Sequence, residues 1–95
     1  MGFAYVVGQV TVKDEANWAE YRKRVPETFD AWGGEAVLRG RQFAALAGHC
    51  PHSDVVVLRF PSADALKGWF DSPAYQALIP LRDAAADVVL TAYEA

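Results

Sequence analysis

Residues 55–82, VVVLRFPSADALKGWFDSPAYQALIPLR, constrain the fold more than any other stretch of the chain. A run rich in β-branched residues stops at Pro61-Ser62, a short amphipathic segment follows, and Ser72-Pro73 restarts a helix that ends near Arg82. Ser62 and Ser72 are of the type that caps helix N-termini, and Pro73 takes the first helical position, where its missing N–H costs nothing. The spacing predicts a strand over 55–60 and a helix burying Leu66, Trp69 and Phe70. A second helix follows, with Tyr75, Leu78, Arg82 and Ala85 along one stripe.

The first half repeats this order more loosely. Phe3–Val12 reads as a strand, with Val6, Gly8, Val10 and Val12 on one face and Tyr5, Val7, Gln9 and Thr11 on the other. Asp14 is placed to cap a helix whose face carries Trp18, Tyr21, Val25, Phe29 and Trp32 at spacings of three and four. Pro26 deletes the hydrogen bond to Arg22, so a kink or break is expected there, and Gly33-Gly34 supplies the stop. A second strand is expected over 35–46 with a bulge at Gly40, then a hairpin tip over 48–54 and a last strand over 88–93. Both halves read strand, helix with an interior proline (Pro26, Pro80), strand. That split βαβ repeat predicts an α+β fold: one ferredoxin-like βαββαβ domain over 1–95, a four-stranded antiparallel sheet with its helices on one face.

Helices on one face leave the other face of the sheet to be explained. Strands one and three are apolar on both faces, and 53% of the chain is hydrophobic, high for 95 residues. A homodimer packed through the open sheet face satisfies both facts. Nine Lys+Arg against twelve Asp+Glu give a net charge of −3 and no basic field, so no nucleic-acid partner is expected. No apolar run approaches the roughly 20 residues that span a bilayer, and the first residues lack a basic signal-peptide region, so no membrane partner is expected either. Cys50 is the lone cysteine, which rules out an intrachain disulfide and fits a cytoplasmic location.

With Phe60-Pro61-Ser62, Trp69, Ser72-Pro73-Ala74-Tyr75, Arg82, Gly33-Gly34 and the Tyr21 region in order, the chain resembles the small bacterial family called domain of unknown function 1330. The resemblance covers nearly the whole chain. It implies the dimeric α/β-barrel superfamily, which includes cofactor-independent monooxygenases, haem-degrading enzymes, muconolactone-isomerase-like proteins and members without known activity. It also implies a ligand cavity between sheet and helices, which places Tyr21, Trp69, Tyr75 and Arg82 as ligand-binding candidates.

Tyr75 and Arg82 are the catalytic candidates among them, the guanidinium stabilising negative charge and the phenol giving or taking a proton. The competing account is that aromatics at helical spacing are core and that an arginine near a helix C-terminus pairs with Asp83 or Asp87. Three readings of function follow. One is a cofactor-independent oxygenase- or isomerase-type enzyme acting on a small planar molecule. Another is a non-catalytic small-molecule-binding or stress-related accessory protein, and the weakest is haem binding through a histidine. His49, Cys50 and His52 crowd into four residues of one loop, which does not suit a metal site, so neither metal nor cofactor is expected. Arg39 and Arg41 are expected on one strand face with Arg59 nearby; if that face meets the partner, they pair with carboxylates such as Glu35, Asp54 or Glu94, and anion binding in the dimer cavity is the alternative.

Overall fold

The structure, a computed structural model, describes residues 2–95. The chain runs β1 (Ala4–Val12), α1 (Glu15–Phe29), a 3-10 turn (Asp30–Trp32), β2 (Glu35–Arg41), β3 (Asp54–Phe60), α2 (Ala63–Asp71), α3 (Pro73–Gln76), α4 (Ile79–Ala85) and β4 (Ala86–Glu94). The strands form one antiparallel sheet in the order β2-β3-β1-β4. This is the ferredoxin-like arrangement that the repeat predicts, with all helices on one face.

Local chemistry sets the helix starts. Asp14 accepts from the backbone N–H of Asn17 at 3.0 Å, Ser62 from that of Ala65 at 3.1 Å, and Ser72 from that of Tyr75 at 3.2 Å. Each satisfies a donor that the first helical turn leaves free. Ser72 also donates to the carbonyl of Trp69 at 2.7 Å, so one hydroxyl closes α2 and opens α3. The stop after α1 is Gly33 at φ 73°, a left-handed conformation that suits glycine. Gly34 is required for a different reason: a Cβ there would stand 2.7 Å from the ring of Phe60, which is fully buried.

Three expectations are corrected. The helix is not broken at Pro26: α1 continues through it to Phe29. Proline removes only its own donation to Arg22, and so close to the helix end one missing bond interrupts nothing downstream. Pro80 instead sits in the first turn of α4, directly after the interruption between α3 and α4. The register shift in β2 falls between Ala36 and Leu38, not at Gly40. The strand also ends at Arg41 rather than near residue 46, because Phe43 and Leu46 are 97% and 93% exposed in the long hairpin loop.

The core lies between the sheet and the helices. Ala4, Val6, Leu58 and Phe60 meet Tyr21, Val25, Phe29, Leu66, Trp69, Tyr75 and Leu78, all buried. Trp69 and Tyr75 are its centre, with ring centroids 4.4 Å apart; Phe60 lies 5.2 Å from Trp69 and Phe70 5.5 Å from Tyr75. The indole N–H of Trp69 donates to the Thr28 hydroxyl at 2.9 Å, which donates on to the carbonyl of Val25 at 2.7 Å. The polar edge of a buried indole is thus satisfied inside the core.

The opposite face carries Tyr5, Val7, Gln9, Val55, Val57, Val89, Thr91 and Tyr93 in register across β3, β1 and β4. Val89 and Tyr93 are about half exposed, and Phe3 beside this face lies 4.7 Å from the guanidinium of Arg59. Arg59 pairs with Glu35 across β3 and β2, one of the three carboxylates expected to serve. Among the described residues, no helix is long and apolar enough to cross a membrane.

Candidate functional site

A cavity of about 300 Å³ opens between α1 and the sheet. Its floor is Val6 and Val10 of β1, Val56 and Leu58 of β3 and Leu90 of β4, and its walls include Trp18, Tyr21, Val25, Trp69 and Tyr75. The floor is closed over Gly8, where a Cβ would come within 2.9 Å of Val56 and 3.1 Å of Leu90. Trp18 stacks on Tyr21 with centroids 5.2 Å apart, giving the cavity a flat aromatic wall. The size lies at the lower end for small-molecule sites.

Three of the four candidate residues, Tyr21, Trp69 and Tyr75, line this cavity. Arg82 does not. It stands behind Tyr75 and donates from Nη1 to the tyrosine oxygen at 3.1 Å, while its Nε donates to Asp83 at 3.1 Å. The Tyr75 and Tyr21 hydroxyls are 2.9 Å apart. A continuous chain, Asp83–Arg82–Tyr75–Tyr21, therefore runs from an exposed carboxylate to the cavity wall.

Arginine has no acceptor, so Arg82 must donate to the Tyr75 oxygen. If Tyr75 then donates to Tyr21, the Tyr21 O–H is left free for an acceptor in the cavity. Burial pushes the Tyr21 phenol well above its ordinary value of 10.0, and the adjacent Tyr75 adds to this; the Arg82 charge opposes without outweighing them. Tyr21 is thus a neutral donor at physiological pH. Burial works against the charge of Arg82, but its bonds to Tyr75 and Asp83 outweigh this and raise its pKa.

A raised folded-state pKa means that Tyr21 stabilises the fold fully below its unfolded value and less as pH climbs beyond it. Above about pH 10 the wild type is expected to lose about 1.4 kcal/mol per pH unit from this group. Denaturant unfolding at pH 9 and pH 11 checks it: the loss across that interval should be smaller in Tyr21→Phe than in the wild type.

The sequence reading missed the mouth of the cavity. Arg22 of α1, Arg39, Gly40 and Arg41 of β2, and Asp54 and Val55 of β3 line it. The β2 register puts Arg39 opposite Val56 and Arg41 opposite Asp54, on the helix side of the sheet and away from Arg59. The expected cluster of three arginines is therefore divided between the two faces. The signal for Arg22 was its position next to Tyr21. For Arg39 and Arg41 it lay in the register shift, which the sequence does not mark.

Two of the three loop candidates, Cys50 and His52, are engaged with β1, and His49 is exposed. His52 shares a hydrogen bond with Thr11 at 2.9 Å, and the Cys50 thiol lies 3.5 Å from the side-chain oxygen of Gln9.

A four-stranded antiparallel sheet, helices on one face and a cavity between them define a ferredoxin-like α+β protein with an internal pocket. The chain belongs to the family described as "Domain of unknown function (DUF1330)", whose sequence model matches residues 3–95. Among solved structures, it is similar to a Rhodopseudomonas palustris protein of unknown function, with 20% identity and a TM-score of 0.84 over 99% of this chain and 82% of that one. It is similar in fold to SnoaB, a cofactor-independent oxygenase from Streptomyces nogalater, with 15% identity and a TM-score of 0.70 over 100% and 94% of the two chains. A dimeric ferredoxin-like protein of unknown function from Thermobifida fusca gives 13% identity and a TM-score of 0.68 over 99% and 92%. No curated protein matches the chain significantly.

Proposed function

We propose that this protein is a cytoplasmic homodimer, joined through the open sheet face, that binds a small planar organic molecule in the helix–sheet cavity and stabilises negative charge on it. The observation that carries this reading is the hydrogen-bonded chain Arg82–Tyr75–Tyr21 ending at an apolar, aromatic-walled cavity of about 300 Å³. A carbonyl oxygen accepting from Tyr21 would gain charge as a neighbouring C–H lost its proton. Pre-placed donors backed by a guanidinium in such a site favour that state. Asp54 is the carboxylate lining the cavity and can take the proton. Returning the proton to another carbon is isomerase chemistry, and capture of the carbanion by dioxygen is cofactor-independent oxygenase chemistry. The fold shared with SnoaB is compatible with the latter. Tyr75 is the proposed relay, passing polarisation from Arg82 through its own hydroxyl to the Tyr21 donor, and Arg82 is the residue that stabilises charge through it.

2-Tetralone, a planar ketone with acidic α-hydrogens, tests this by α-hydrogen exchange in deuterated buffer, followed by NMR. The wild type should accelerate exchange at least tenfold over buffer, and Tyr75→Phe and Arg82→Gln should each lose most of that gain. Binding without acceleration would leave a non-catalytic binding protein. Absence of binding would remove the pocket reading itself.

A further inference from the structure

From the charges at the cavity mouth we infer that the ligand is an anion: a planar or apolar body bearing a carboxylate, sulfonate or phosphate, its acidic group held by Arg22 and Arg39 with Arg41 beside them. This rests on the pocket proposed above and adds the chemical class of its occupant. Three guanidiniums line the mouth against one carboxylate, Asp54. Among the described residues, no ion pair within 4.0 Å involves Arg22, Arg39 or Arg41, whereas Arg24, Arg59 and Arg82 each have a carboxylate partner. The chain carries nine basic and twelve acidic residues, so three unpaired arginines around one opening do not follow from composition.

The arrangement also has an energetic cost. All three arginines are exposed, which tempers that cost, but the partial burial of Arg39 at the cavity edge disfavours its charged form, and the nearby charge of Arg22 disfavours it further. Two like charges held together without a counter-ion destabilise one another, and an anion placed between them removes that repulsion while accepting up to two forked hydrogen-bond sets. The two ends of the cavity then have different tasks. The mouth holds a full negative charge, and the Tyr21 hydroxyl meets a neutral oxygen at the other pole, with the Trp18–Tyr21 stack as the flat wall between them.

2-Naphthoate and 2-naphthamide share one ring system and differ in charge, so calorimetric titration of both isolates the acidic group. The wild type is expected to bind the carboxylate at least tenfold tighter than the amide, and the preference should fall as salt rises from 20 to 300 mM. In the double variant Arg22→Gln/Arg39→Gln the preference should drop to near one, with circular dichroism confirming that the fold is kept. Equal affinities in the wild type would overturn the anion inference and leave the pocket standing. A preference that survives in the double variant would overturn the assignment to these arginines. Binding of neither compound would defeat both the pocket and its charge.

Discussion

Trp69→Ala is expected to destabilise the protein by about 3–5 kcal/mol, the range for deleting a large aromatic side chain from a packed core. Trp69 is 1% exposed and packs against the rings of Phe60, Phe70 and Tyr75, edge-on in the case of Phe70. Its removal also leaves the Thr28 hydroxyl without its donor partner. For a domain of this size, that loss lowers Tm by well over about 10 °C. Thermal unfolding followed at 222 nm measures it. Trp69→Phe should recover most of the stability, since it restores aromatic volume and gives up only the indole hydrogen bond. A loss below about 1 kcal/mol for the alanine variant would show that the core closes over the gap and that Trp69 does not organise it.

The second large effect concerns assembly. Val7 and Val57 are paired across β1 and β3 at the middle of the open face, each only partly buried in the single chain. A dimer sealed there should bury at least about 1,200 Å² in total and give twice the chain mass by light scattering at micromolar concentration. Val57→Asp puts two unpaired carboxylates at the centre of that contact, one from each copy. Dissociation should rise at least a hundredfold, leaving a folded monomer at the same concentration. A wild-type chain that scatters as a monomer at 10 µM would refute the sheet-to-sheet dimer.

Much of the fold was legible because its punctuation is local. Asp14, Ser62, Ser72 and Pro73 announce helix starts by side-chain chemistry that neighbouring elements do not alter. The stripe Tyr21, Val25 and Phe29 is likewise a local periodicity, and all three residues are buried. Strand register is not local. The shift between Ala36 and Leu38 is decided by pairing with β3, and it assigns Arg39 and Arg41 to the cavity side. Apolar content misled at Phe43 and Leu46, which look like a continuation of β2 but lie in the loop. Within the site, helical spacing marked Tyr21, Trp69 and Tyr75 only as inward-facing aromatics, and their place at a cavity came from the family resemblance. The position of Arg82 behind Tyr75, and of Arg22 beside the cavity, depends on how α1 and α4 pack.

The alternation in β1 has a consequence for how such a chain can change over generations. Val6, Gly8 and Val10 face the helices, and Tyr5, Val7 and Gln9 face away. Substitutions can therefore alter either surface separately, so changes in the cavity lining need not disturb the opposite side. A single-residue insertion or deletion has no such freedom, because it exchanges every outward and inward side chain beyond it. Length variation is thus confined to the connections. The exposed segment between Arg41 and Asp54 is the widest place where descendants of this sequence can grow or shrink without turning the sheet inside out.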